Sequence, residues 1–184
     1  MNLPNKLTLL RVCMIPFFVV LARIGALWAQ CAAVGIYALA CLTDMLDGRI
    51  ARSRNLVTNF GKFMDPIADK LLVMSAMILL TAQGRMPDWV CILMLGREFL
   101  VSGFRLVAVE SGTVIAAGPL GKLKTVFQML STIALMLLVP AAGEPLLGQG
   151  GATFARVLMY IALALTVVSG ADYILRNRDC IRDM

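Results

Sequence analysis

Long apolar runs separated by short polar breaks set the rhythm of this chain. Six runs stand out, at about 7–28, 30–48, 60–82, 86–110, 120–140 and 154–175. Each approaches or exceeds the roughly 20 residues that an α-helix needs to cross a hydrocarbon core. The pattern predicts an all-α fold, an integral membrane bundle of six transmembrane helices. The first run reads as a span and not as a signal peptide, because it is long, carries Arg11 and Arg23, and is followed by further spans. "PAAGEPLLGQGGAT", from Pro140 to Thr153, is the one long turn-rich linker. With no repeat or low-complexity segment, residues 1–184 read as a single membrane domain.

Composition agrees with this reading. The 184 residues are 60% apolar and the mean hydropathy is +0.84, whereas soluble domains are about 45–50% apolar. The basic residues then give an orientation. With six spans both termini share a side, and that side holds Lys6, Arg11, Arg49, Arg52, Arg54, Lys62, Lys122, Lys124, Arg176, Arg178 and Arg182. The opposite side holds Arg23, Arg85 and Arg156. The positive-inside rule makes the first side cytoplasmic, which predicts a multi-pass protein of the cell's inner (plasma) membrane with cytoplasmic termini and site. Much of the net charge of +6 is thereby topological, and no nucleic-acid partner is implied. The five cysteines form no CxxC pair and four lie in apolar stretches, so no disulfide framework is expected. Histidine is absent, which removes imidazole as a base or metal ligand.

Against this oily background one stretch is acidic: "DMLDGRIARSRNLVTNFGKFMDPIADK", Asp44 to Lys70. Asp44 and Asp47 are three apart, Asp65 and Asp69 four apart. On helices each spacing puts two carboxylates on one face. The first pair closes span 2 and the second opens span 3. The short link Ser53–Phe60 makes these spans antiparallel neighbours, so all four acids can converge at one depth, the cytoplasmic edge. Solvated aspartates in a loop would not require this spacing. Clustered carboxylates repel one another, and an ionised Asp at a helix centre costs about 2.5–3.5 kcal/mol on insertion scales. Arg52, Lys62 and Lys70 offset part of that charge. A divalent ion does so better, and oxygen-only ligands suit Mg²⁺ or Mn²⁺. Gly48, Ala51 and Gly61 remove bulk beside the acids and admit a ligand or a helix. Pro66 either opens a helix turn or kinks span 3.

The full pattern is Asp44-x2-Asp47-Gly48-x2-Ala51-Arg52-x8-Gly61-x3-Asp65-x3-Asp69. It resembles, at every fixed position, the signature of the CDP-alcohol phosphatidyltransferase family. The resemblance implies six transmembrane helices and transfer of a phosphatidyl group from CDP-diacylglycerol to an alcohol, with release of CMP. It further implies that Asp44, Asp47 and Asp65 are metal ligands, with Asp69 close to the metals and acting as general base. Asp47, Gly48, Ala51, Arg52 and Gly61 would line the CDP-diacylglycerol site. Homodimers are common in the family, so one is expected here, among membrane lipids. With no histidine and no nucleophilic Ser or Cys constellation, direct displacement is expected over a covalent intermediate.

The acceptor is read from a second region, "GREFLVSGFRLVAVESGTVIAAGPLGKLKT". Arg97 lies near mid-span. Arg105 is two turns nearer the cytoplasm and about 80° around the helix, so both can border one cavity. Lys122 and Lys124 begin span 5 and Arg11 begins span 1 on the same side. Such a cluster suits a phosphate monoester, for which glycerol-3-phosphate and inositol phosphate both qualify. The blander readings are snorkelling of Lys122 and Lys124 to headgroups, and pairing of Arg97 or Arg105 with Glu98 or Glu110 of neighbouring helices. "GPLGKLKT" is not a P-loop, since positions 116 and 123 are Ala116 and Leu123. "LPNKLTLLRVCMIPFF", "GREFLVSGFR" and "GKLKTVFQM" resemble segments of the bacterial members of the family that use glycerol-3-phosphate. That likeness implies an acceptor site of Thr8, Arg11, Arg97, Arg105, Lys122 and Lys124. A divalent-cation transporter is the rival from another class. Transporters, however, place their sites near the midplane, and these acids lie at the edge.

Overall fold

The computed structural model describes the backbone of residues 3–53, 59–110, 118–139 and 147–177, and the side chains of 9–43, 67–68, 70–105, 118–139 and 147–177. These residues form six α-helices and no strand: α1 (Leu3–Arg23), α2 (Leu27–Ser53), α3 (Asn59–Ala82), α4 (Asp88–Glu110), α5 (Pro119–Leu138) and α6 (Gly148–Arg176). Each holds one of the six apolar runs. The ends differ from the hydropathy pattern for local reasons. α2 continues past its apolar run to Ser53 because "DGRIARS" contains no breaker strong enough to stop it. α1 stops at Arg23, two residues before Gly25. α3 begins at Asn59 and runs through position 66, so the proline there does not open the helix. The Gly118–Pro119 pair starts α5, with Pro119 in the first turn, where a missing N–H leaves no bond unmade. Gly84, at φ +68°, makes the tight reversal between α3 and α4, a conformation that glycine adopts freely.

α1 packs on α2 and α3, α5 lies along α6, and α4 packs on α6. α5 also touches α2 and α3, which ties the two halves together, and α3 touches α4. The shared core includes Phe18, Tyr37, Met77, Met94, Leu135 and Met159, with the Phe18 and Tyr37 rings 5.9 Å apart. Polar residues also lie inside. Ser131, Thr132 and Thr166 are buried with their hydroxyls donating to carbonyls of their own helices. The outside, by contrast, is oily: Phe17, Leu100 and Leu175 are 68%, 66% and 67% exposed. α5 and α6 are long and apolar enough to cross a membrane. Among the described residues of α2 and α3, Leu27–Thr43 and Lys70–Ala82 are apolar stretches.

At the end away from that charged stretch, Arg85 is buried and Nη1 donates to the Met136 carbonyl at 3.1 Å. Gln30 donates to the same carbonyl, and Gln83 donates to the Ala22 carbonyl at 2.7 Å. These bonds satisfy helix-end carbonyls that would otherwise be orphaned and tie α1, α2 and α5 to the α3–α4 turn. Burial pushes the Arg85 guanidinium below its ordinary range without discharging it. Arg85→Ala is therefore expected to destabilise the bundle by about 1.5–3 kcal/mol, the worth of a hydrogen bond from a charged group. Thermal unfolding of the detergent-solubilised protein measures this, and Arg85→Met, which keeps most of the packing, should lie between the two.

Candidate active site

The aspartate stretch falls on the C-terminal end of α2 and the N-terminal end of α3. Positions 44, 47, 48, 51 and 52 occupy the last turns of α2, and positions 61, 65 and 69 the first turns of α3. α2 and α3 are in contact. The spacings of three and four are thus helical spacings, as expected. The side chains of Asp44, Asp47, Ala51, Arg52, Asp65 and Asp69, with Gly48 and Gly61, lie outside the described residues, as does that of Thr8 on α1. The donor set itself fits a hard divalent cation: four carboxylates in a chain without histidine.

The cationic residues are described in more detail. Arg11, on α1, is only 2% exposed. Lys122 and Lys124 part company: Lys122 is exposed, whereas Lys124 is 1% exposed and donates to Glu98 Oε1. Helix phase explains the difference. Lys124, Gln128, Ser131 and Leu135 follow one another at steps of four, three and four along the buried face of α5. Snorkelling therefore suits Lys122 and not Lys124.

Arg97 is held on three sides. Nη1 lies 3.4 Å from Glu98 Oε1, the same oxygen that takes Lys124. Nη2 donates to Ser169 Oγ of α6 at 3.0 Å. The stem crosses Gly170, where a Cβ would sit 3.1 Å from Arg97 Cγ, so the close approach of α4 to α6 depends on that glycine. At Gly121 of α5 a Cβ would make only ordinary contact with Nη2, at 4.0 Å. The expected pairing of an arginine with Glu98 thus exists, but within α4 and not from a neighbouring helix. Glu110 lies outside the described side chains.

Arg105 is exposed, and both it and the buried Tyr173 of α6 lie within electrostatic reach of Arg97. The Tyr173 ring meets Phe104 edge-on at 5.7 Å. A cavity of about 60 Å³ opens between α3, α4 and α5. The two arginines do not line it. Its polar wall is Lys70, Glu98, Lys124 and Gln128. Lys70 donates to Ser102 Oγ, which donates to the Glu98 carbonyl at 2.6 Å.

Glu98 is therefore the hub of the described site. Its sequence signal was weak: an acid beside Arg97 gives no hint that Lys124, 26 residues on, shares it. Ser169 and Gly170 were missed altogether, since α6 reads as a plain apolar span. Their only trace is two small residues side by side, a pattern that permits close helix packing.

Residues 1–168 match the family described as CDP-alcohol phosphatidyltransferase. A Bacillus subtilis relative named CDP-diacylglycerol–glycerol-3-phosphate 3-phosphatidyltransferase is 39% identical over 98% of this chain and 97% of its own. A probable phosphatidylglycerophosphate synthase of Mycobacterium tuberculosis is 43% identical, over 95% of this chain and 81% of its own. A Rickettsia typhi relative with the same name as the Bacillus protein is 40% identical over 94% of each chain.

Proposed function

Because the chain belongs to the CDP-alcohol phosphatidyltransferase family, we infer that it transfers the phosphatidyl group of CDP-diacylglycerol to glycerol-3-phosphate. The products are phosphatidylglycerophosphate and CMP, which makes it a transferase of phospholipid biosynthesis. The observation that carries this reading is the near full-length identity of 39–43% to relatives named for that reaction or that product.

The chemistry follows from the chain's own groups. Asp69 takes the proton of the acceptor's primary hydroxyl. The freed oxygen attacks the phosphorus that carries the diacylglycerol, a new P–O bond forms, and the bond to CMP breaks with its electrons going to the CMP phosphate. Arg52, Gly48, Ala51 and Gly61 make room for the nucleotide and partner it. Asp44, Asp47, Asp65 and Asp69 would hold Mg²⁺ or Mn²⁺, which supplies charge neutralisation at the phosphoryl oxygens when bound. Arg97, Arg105, Lys124, Arg11 and Thr8 form the side of the site that receives the acceptor phosphate. For this role Arg97 is well prepared, because its guanidinium is already oriented by Ser169 and Glu98 and little is lost in ordering it.

All six helices span the membrane, with both termini cytoplasmic. The oily exterior of the bundle supports this, since an aqueous surface would not carry so many exposed large apolar side chains. So does the burial of Arg11 and Lys124, whose charges face inward.

The test is to give the purified protein labelled CDP-diacylglycerol with a panel of alcohols and to identify the lipid formed. Phosphatidylglycerophosphate with stoichiometric CMP is the expected result. A product made from inositol phosphate in preference would move the chain to another acceptor class. Flux of divalent ions without any release of CMP would make it a transporter.

A further inference from the structure

We propose that the cavity between α3, α4 and α5 receives the secondary hydroxyl of the acceptor, and that Gln128 reads it as a specificity-determining residue. The proposal rests on glycerol-3-phosphate being the acceptor.

The size of the cavity comes first. About 60 Å³ exceeds the ~10–15 Å³ that a single water needs, so a hydroxyl-bearing group can enter. The second point is the state of its polar lining. Lys124 is engaged by Glu98, and Lys70 by Ser102. Gln128 differs. It is 3% exposed, and among the described residues its amide meets only the Sδ of Met77, at 3.0 Å. A thioether is a weak acceptor, so a buried amide keeps hydrogen-bonding capacity that the described residues do not fill. Leaving such a group unfilled is unfavourable. A hydroxyl both donates and accepts, and so complements a carboxamide.

Position supplies the third point. Val73 lines the cavity, and position 69 is one helical turn before it on α3. In glycerol-3-phosphate the secondary hydroxyl is on the carbon next to the attacking primary hydroxyl. A pocket one turn from the proposed base is where the neighbouring hydroxyl would lie. The two lysines and one glutamate of the wall leave a net positive surface, compatible with an anionic acceptor. Arg97 shares Glu98 Oε1 with Lys124 of the cavity wall, which sets a guanidinium near the cavity for the phosphate end.

The test compares glycerol-3-phosphate with 3-hydroxypropyl phosphate, which lacks only the secondary hydroxyl, in the full-length solubilised enzyme. Wild type should prefer glycerol-3-phosphate by about tenfold in kcat/KM, the value of one neutral hydrogen bond. Gln128→Met keeps length and loses the amide. It should bring that ratio close to one, by raising KM for glycerol-3-phosphate, and leave both the analogue and KM for CDP-diacylglycerol nearly unchanged. Gln128→Glu keeps an acceptor oxygen and should recover part of the preference. Equal losses on both substrates in both variants would make Gln128 a packing residue and overturn the proposal. An unchanged ratio would leave the cavity to water and overturn it as well. A wild type that uses neither phosphate but accepts another alcohol would instead sink the assigned function, an outcome visible before any variant is made.

Discussion

Asp65→Asn is expected to lower turnover by about 10³-fold or more, and Asp44→Asn and Asp47→Asn to do the same, with the helical bundle intact. Asn matches Asp in shape, so helix packing is preserved while one negative charge is removed. The three positions stand on the last turns of α2 and the first turns of α3, two helices that are in contact. Together with Asp69 they form the donor set proposed for a divalent ion. Stabilisation of phosphoryl charge by such an ion is worth several kcal/mol, and about 1.4 kcal/mol is a factor of ten. The loss is also expected to be poorly rescued by raising CDP-diacylglycerol, because it falls on the transition state more than on ground-state binding. CMP release measures turnover, and a thermal melt in detergent confirms folding. Repulsion among four carboxylates is relieved in the variants, so without added metal they should melt no lower than wild type. Wild-type turnover in any of the three would remove that residue from the site.

Asp69→Asn should behave differently. As the proposed base it acts on the acceptor hydroxyl, so kcat should fall by about 10²–10⁴-fold while the affinity for CDP-diacylglycerol changes little. Lowered kcat with unchanged ground-state binding is the mark of an interaction made only in the transition state. Position 69 immediately precedes Lys70, which is tied to α4 through Ser102. α3 is thus anchored beside the base, and loss of the carboxylate should not displace it. Binding of CDP-diacylglycerol measured without acceptor, beside single-turnover rates, separates the two quantities. Loss of lipid-nucleotide affinity with an intact turnover number would make Asp69 a binding ligand and leave the proton to another acceptor.

These two expectations rest on features the sequence determined alone. Six apolar runs became six helices because length and hydrophobicity are local properties, and the aspartate spacings were helical because three and four match the helical period. The exact ends were less legible, as α2 shows by continuing to Ser53 beyond its oily part. What the tertiary structure decided is which helices meet. Periodicity places Lys124 and Gln128 on one face of α5, but it does not say that α4 will present Glu98 to the first and that a cavity will open at the second. Arg97 was visible as a charge out of place in a span. Its seat on Ser169 and Gly170, 72 residues away in the case of Ser169, was not. Arg85 likewise looked like a topological charge and became a cap on α5. The reason is common to all four. A buried polar group must find its partner wherever the packed helices bring one, so its role depends on contacts distant in sequence. An apolar run, or a pair of acids one turn apart, carries its meaning within a few residues.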